Sequence, residues 1–377
     1  MSISCEIDFE RNPLKVIHSG QQLRGIVSLK FKKQKKVCGI YIRLYGGAYA
    51  SWTEFDLLNF GCDRIFCYDY TKTYTVKEEH FNERAYFLGD DSGVCVGSQR
   101  LKKSPLIFKM SPGVHSYTFD CTLPSTLPTS VEGKHGHIKY LTCVVVDVLH
   151  SEKRVFQQPF TVIKPIDLNA EPEFRNPIIA KLTTDDMQIF VLVPVCGYTP
   201  GQVINLEIDV NNKSKRSITE FGIELVREIV YSKSAKSNHH KVERVSIVKT
   251  KTRGCEKYQS EIIAANIPLP SIPPTDLTTN PILKISYFMR VVGFVNSVFF
   301  RNDNPKLEFP ITIGSRPIQD DSPYSNWNNG RIPFDQHDLN KERFIYEETL
   351  RRYGAIGSNF RPTYPVFKRE TSYSIQN

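Results

Sequence analysis

Apolar and polar residues alternate along most of this chain with the two-residue period of strands that bury one face. In Ser19–Phe31 (SGQQLRGIVSLKF) the residues Leu23, Val27 and Leu29 fall on one side, and in Pro200–Val210 (PGQVINLEIDV) Ile204, Ile208 and Val210 do the same. The two stretches run in register, Gly20 with Gly201 and Gln21 with Gln202. The same register continues without a gap, so that Ile40, Ile42 and Leu44 match Phe221, Ile223 and Leu225. Polar connections, KKQKK at Lys32–Lys36 and NNKSKR at Asn211–Arg216, separate the two strands of each copy. They read as hairpin turns, and the pattern therefore predicts one β-hairpin occurring twice.

A second block also occurs twice. Tyr117–Val148 (YTFDCTLPSTLPTSVEGKHGHIKYLTCVVVDV) and Ile267–Val295 share a Leu-Pro pair, Leu123-Pro124 with Leu269-Pro270, followed by a long alternating strand. Ile138, Tyr140, Val144 and Val148 match Ile285, Tyr287, Val291 and Val295. In the first copy Ile138, Tyr140, Thr142, Val144, Val146 and Val148 share one face, which predicts a core strand. The prolines cannot donate to a ladder, so they end the preceding strand and hold an extended connection. Gly133 and Gly136 then supply the turn that starts the next strand. The first copy is longer, with the excess around Ser51–Leu101. Short alternating segments with Gly and Pro punctuation, and almost no 3.6-residue periodicity, predict an all-β chain of two tandem immunoglobulin-like β-sandwiches. Their expected bounds are 1–165 and 166–313, joined near Ile163–Pro177, with a mostly irregular tail over 314–377.

The totals agree with this picture. A chain of 377 residues exceeds one ordinary core, and 40% hydrophobic with 24% charged residues is globular. The net charge of +9 sits mostly in residues 1–165. Such a distribution suits an acidic or phosphorylated partner, or an anionic membrane surface, better than a nucleic-acid duplex. The opening MSISCEIDFERNP lacks the basic flank and apolar run of a signal peptide, and no window is long and apolar enough to span a bilayer. Nine cysteines, an odd number without framework spacing, read as reduced thiols of a cytosolic chain.

Catalytic and metal-binding chemistry finds little support. His135 and His137, and the adjacent His239 and His240, have no Cys, Asp or Glu at ligand spacing, so no metal is expected. Cys62 and Cys67 have no second pair to complete a zinc site. No nucleophile elbow, Walker loop or dinucleotide fingerprint occurs, and no cofactor is expected. Asp90-Asp91 and Asp185-Asp186 lie in turn-like sequence, where carboxylates cap or solvate. The chain is therefore expected not to be an enzyme. A pair of extracellular immunoglobulin domains is a competing reading, but Trp52 and Trp327 occupy neither place that a Cys…Trp…Cys pattern requires.

The run PGVHSYTFDCTLPSTLPTSVEGKHGHIKYLTCVVVDV, then PFTVIKPIDLN at Pro159–Asn169, resembles the α-arrestins, the arrestin domain-containing proteins. GYTPGQVINLEIDVNNKSKRSITEFGIEL resembles the opening of the arrestin C-domain, with Gly-Tyr-x-Pro-Gly-Gln followed by Asn-x-Ser. The resemblance covers roughly residues 5–313. It implies the arrestin fold and a non-enzymatic adaptor in trafficking and ubiquitin-dependent sorting. Such an adaptor engages the cytoplasmic tails of membrane-protein cargo and recruits a Nedd4-type WW-domain ubiquitin ligase through its own tail. It also implies a cytoplasmic protein recruited to plasma membrane and endosomes. A retromer-like coat subunit without ligase contact is the alternative within the same fold.

Two departures stand out: the tail has no intact Pro-Pro-x-Tyr, and of the cysteines often found near the start of the C-domain only Cys196 remains. Arg361-Pro362-Thr363-Tyr364 is a Pro-Pro-x-Tyr whose first proline is arginine. It keeps the proline and tyrosine that a WW groove grips, which makes it the candidate ligase motif. Tyr364–Phe367 also matches a Tyr-Pro-Val-aromatic segment of insect-like family members, which would give it another role. Upstream, HDLNKERFIYEETLRRYG predicts a short helix, with Asp338 as N-cap and Gly354 as C-cap. In the N-terminal half Lys30, Lys32, Lys33, Lys35 and Lys36 cluster on one connection, with Lys15 and Arg24 as outlying members. By the resemblance they are candidates for binding phosphates or an acidic tail. The same lysines would also suit a solvated turn that discourages edge pairing.

Overall fold

The computed structural model describes residues 2–55, 71–89, 106–234, 239–277, 282–295, 304–319 and 361–367. Two compact units meet in the chain between Lys164 and Pro165. The first contains β1 (Ile3–Phe9), β2 (Val16–His18), β3 (Gln22–Phe31), β4 (Lys35–Phe55) and β5 (Thr71–Leu88). It continues with β6 (Phe108–Met110), β7 (Gly113–Thr122), β8 (Val131–Glu132), β9 (Gly136–Val148) and β10 (Arg154–Ile163). One sheet has the order β1-β3-β7; the other has β2-β10-β9-β4-β5, with β6 added to β4 and β8 to β9.

The second unit repeats this plan with one strand added to its smaller sheet and without the two short additions to its larger one. After a short 3-10 turn at Pro172–Arg175 come β11 (Ile178–Thr183), β12 (Met187–Val193), β13 (Gly197–Tyr198), β14 (Val203–Asn212) and β15 (Ile218–Ser232). Then follow β16 (His240–Cys255), β17 (Gln259–Pro268), β18 (Leu283–Val295) and β19 (Lys306–Ile313). The sheet orders are β11-β12-β14-β17 and β13-β19-β18-β15-β16. Leaving aside β11 in the second unit and the short β6 and β8 in the first, the sheet orders match strand for strand.

Each core lies between the inner faces that the alternation marks. On β3 every second residue from Leu23 to Phe31 is buried, and on β14 every second residue from Ile204 to Asn212. The inner face of β9, Ile138 through Val148, is buried throughout, as is Ile285, Tyr287, Met289 and Val291 on β18.

The repeated unit is not a hairpin. β3 and β4 belong to opposite sheets, and so do β14 and β15. Lys32–Gln34 and Lys213–Ser217 therefore arch across the end of each sandwich. A period of two states that a strand buries one face but leaves open which strand it pairs with. Tight hairpins need residues at positive φ, usually Asn-Gly or Gly-x, and neither connection contains a glycine.

The proline-rich stretches do cross between sheets, from β7 to β9 and from β17 to β18. Each crossing is fixed by the same two devices. The buried Tyr140 hydroxyl donates to the Pro128 carbonyl at 2.8 Å, and the Tyr287 hydroxyl to the Pro273 carbonyl at 2.7 Å. The Ser130 hydroxyl accepts from the Val162 N–H at 2.9 Å, and the Thr275 hydroxyl from the Ile313 N–H at 2.8 Å. Buried backbone groups that leave the ladder are thereby paired.

The greater length of the first copy is partly strand: β4 and β5 have 21 and 18 residues against 15 and 16 in β15 and β16. Cys5, Cys38, Cys121, Cys143, Cys196 and Cys255 are free thiols. Cys62, Cys67, Cys95, Asp90-Asp91 and the helix expected between Asp338 and Gly354 lie outside the described residues. Among the described residues no helix is long and apolar enough to cross a membrane, and no cluster of His, Cys, Asp and Glu could hold a metal ion.

Candidate interaction surfaces

The arch from β3 to β4 carries most of the predicted basic cluster. Lys30, Lys32, Lys33 and Lys36 are exposed, and Lys35 is half-buried. The arch is held from below, where the Lys32 N–H donates to the Ser2 carbonyl at 3.1 Å and the Lys36 carbonyl accepts from the Leu149 N–H at 3.0 Å. Strand β6 adds Lys109 opposite Lys36, a member that spacing along the chain could not reveal. Among the described residues none of these lysines forms an ion pair.

Lys15 does not join them. Its carbonyl accepts from the Thr161 N–H at 2.8 Å, at the far end of β10 from Arg154. The arch meets the other end of the sheet, where Val37 pairs with Val148. At roughly 3.3 Å per residue along the strands the separation is on the order of 25 Å. Lys15 shares with the cluster only the sign of its charge, and the register separates them. Arg24 lies within β3 and donates to the Gln22 side-chain carbonyl at 2.7 Å.

The equivalent arch in the second unit has a different chemistry. Asn212 occupies the place of Phe31 and is fully buried. Its amide donates to the Arg216 and Glu256 carbonyls, and its carbonyl oxygen accepts from the Ser214 N–H and hydroxyl. The outer face of the large sheet is charged but internally paired. Arg290 lies 3.1 Å from Glu308 and 3.5 Å from Glu224, and Arg244 lies 2.6 Å from Glu228 and 3.1 Å from Glu308. Lys213 and Lys215 on the second arch are also exposed and form no ion pair among the described residues, so the first unit's arch differs in carrying more lysines, with Lys109 added from β6.

The degenerate Pro-Pro-x-Tyr is found in an unexpected setting. Tyr364 is only 1% exposed, Val366 is 9% exposed and Pro362 is buried, whereas Arg361, Thr363, Pro365 and Phe367 are half-exposed. The Ser271 hydroxyl donates to the Tyr364 carbonyl at 2.7 Å, and the Phe367 N–H donates to the Pro200 carbonyl at 2.8 Å. Thr363–Phe367 is thus a strap held against the second sandwich with every second residue buried. The signal was present in the sequence as alternation, Pro362, Tyr364 and Val366 inward. Reading the same residues as a ligand motif for another protein obscured it.

The comparisons with known proteins follow the same two-part division. The family model for the N-terminal domain of arrestin (or S-antigen) matches residues 5–169, and the model for the C-terminal domain matches residues 183–318. Arrestin domain-containing protein 17 of Caenorhabditis elegans is 26% identical over 345 residues, covering 85% of this chain and 74% of the relative. Arrestin domain-containing protein 1 is 24% identical over 192 residues in Rattus norvegicus and 25% over 189 in Homo sapiens. Those two matches cover 48% of this chain and 43% of the relative, so the chain spans less than half the length of these mammalian relatives. With both domain models matched in order on two sandwiches that repeat strand for strand, the chain belongs to the arrestin family, as an arrestin domain-containing protein of the α-arrestin branch.

Proposed function

We propose that this α-arrestin is a trafficking adaptor that holds acidic or phosphorylated cytoplasmic tails of membrane proteins at the Lys30–Lys36 arch and links them to sorting machinery. The observation that carries this reading is the group of arch lysines without ion pairs among the described residues, with Lys109 beside them, on an arrestin N-domain. Exposed ammonium groups crowded on one arch repel one another, and an anionic peptide relieves that repulsion while releasing its own counterions. Anionic lipid headgroups offer the same chemistry, so a peripheral contact with the membrane belongs to the same proposal. Recruitment of a WW-domain ubiquitin ligase through Pro362 and Tyr364 is the second half, and it requires Tyr364 to leave its buried position.

The test is direct binding of a phosphorylated acidic peptide to the full chain. A variant carrying Lys32→Glu, Lys33→Glu and Lys36→Glu is expected to bind at least tenfold more weakly, and raising salt is expected to weaken the wild type towards it. Lys15→Glu, far from the arch, is expected to leave affinity within about twofold. Equal binding by the triple variant and the wild type would remove the arch from the mechanism.

A further inference from the structure

We propose that the second sandwich carries a docking groove for an extended Tyr-x-Val peptide, and that the chain's own Thr363–Phe367 is its resident occupant. The groove lies between the turn leading into β14 and the proline crossing after β17. Its contacts with the strap are those of a bound peptide. One backbone N–H bond goes to Pro200, one side-chain hydroxyl bond comes from Ser271, and alternate residues are buried while those between are half-exposed. Extended peptides are recognised in this manner, with main-chain bonds giving affinity and pockets for every second side chain giving selectivity. Here Tyr364 and Val366 are the buried side chains, and Val366 lies against Gly201.

The internal repeat supplies a control within the molecule. Gly20 and Gly201 have the same left-handed backbone, φ 83° and 90°, in equivalent turns. A Cβ added at Gly20 would make an ordinary 3.4 Å contact with Ser125, a residue of the crossing itself. At Gly201 the same atom would land on the Phe367 carbonyl and the Val366 side chain. Both turns bond to the crossing, through the Leu123 N–H to the Gln21 carbonyl and the Leu269 N–H to the Gln202 carbonyl, but among the described residues only Gly201 has a segment of tail lying over it. The groove is therefore a local feature of the second unit and not a property of the shared fold.

Because the occupant is joined covalently to the body, it acts at an effective concentration that reaches the millimolar range for flexible tethers. A peptide of the same sequence added at micromolar concentration cannot displace it. The two uses of Tyr364 exclude each other, since a side chain buried in the groove is not available to another protein's aromatic cleft. Release of the strap would expose Tyr364 and open the groove in one event. This inference does not rest on the adaptor reading and stands or falls separately from it.

The experiment uses the full chain and a fluorescent peptide, NFRPTYPVF, copied from Asn359–Phe367. Val366→Asp places a carboxylate where a buried side chain sits and is expected to release the strap without touching the body; Tyr364→Ala is a second release variant. In hydrogen exchange the Phe367 amide is expected to be protected in the wild type and to exchange at least tenfold faster in both variants, with β14 and β17 unchanged. The peptide is expected to bind both released chains saturably and the wild type at least tenfold more weakly. Replacing the peptide tyrosine by alanine, or adding Ser271→Ala to the released chain, is expected to weaken binding about fivefold or more. Rapid exchange at Phe367 in the wild type, equal peptide binding by wild type and released chains, or no binding to a released chain would each overturn the proposal.

Discussion

At the scale of single residues, Tyr140 and Tyr287 carry one task twice, each tying a proline crossing to the central strand of its sandwich. Removing either hydroxyl leaves a buried proline carbonyl without its donor. Tyr140→Phe and Tyr287→Phe are each expected to cost about 1–2 kcal/mol, read by calorimetry as a lower melting temperature for the affected domain. Glu132 gives a prediction of a different kind. Burial pushes its carboxyl from an ordinary 4.5 up to about 7, against the pull of Lys139. A raised folded-state pKa favours the fold when the group is protonated, so its contribution is complete below about pH 4.5 and is lost as pH rises through 7. Glu132→Gln is expected to stabilise the first domain above pH 7, by on the order of 2 kcal/mol, and to change little at pH 4.5. His137, its partner across the ladder, is shifted the opposite way: burial and then Lys139 lower its pKa. Its contribution is present above its ordinary 6.5 and falls as the pH drops below that value. The inward face of β9 was legible residue by residue because burial imposes a period of two. The burial of Glu132 was not, because it depends on β8 adding to β9 after a turn, and no local pattern reports that.

At the scale of elements, the two arches show one topology stabilised by different chemistry. The first is capped by a buried Phe31, the second by the buried amide of Asn212 and the hydroxyl of Ser214. Asn212→Ala would leave the buried Ser214 N–H without its acceptor and take one donor from each of the Arg216 and Glu256 carbonyls, and is expected to destabilise the second domain by about 3 kcal/mol. A larger loss than for Tyr287→Phe in the same calorimetric transition is the outcome that supports this assignment. The arches also mark where sequence reading stopped. Alternation located β3, β4, β14 and β15, and the long match between copies showed that they repeat. Their pairing was misread because the same alternation serves neighbours in one sheet and partners across a core. The strap was hidden for a related reason: Arg361–Tyr364 reads as a ligand motif for another protein, while the alternation of Pro362, Tyr364 and Val366 is also that of a chain packed against its body.

At the scale of the whole molecule, duplication has given two sandwiches whose surfaces have diverged more than their frameworks. The ion pairs around Arg290, Arg244 and Glu308 consume the charge of the second unit's large sheet, while the arch lysines of the first have no such partners among the described residues. The Cys196 thiol, with its pKa raised mainly by burial and its hydrogen donated to the Glu173 carbonyl, is chemically quiet. Family membership rests on both halves together, since the order of domains and the strand-for-strand repeat carry more than either motif alone. The adaptor role predicts physical capture of membrane proteins by the intact chain. The measurement that tests this most directly is affinity purification of the full chain from cross-linked native cells, in parallel with the Lys32→Glu, Lys33→Glu, Lys36→Glu variant. Recovery of integral membrane proteins with the wild type, severalfold depleted with the variant, is the result predicted. Absence of membrane proteins from the wild-type sample, or equal recovery with both, would contradict the account.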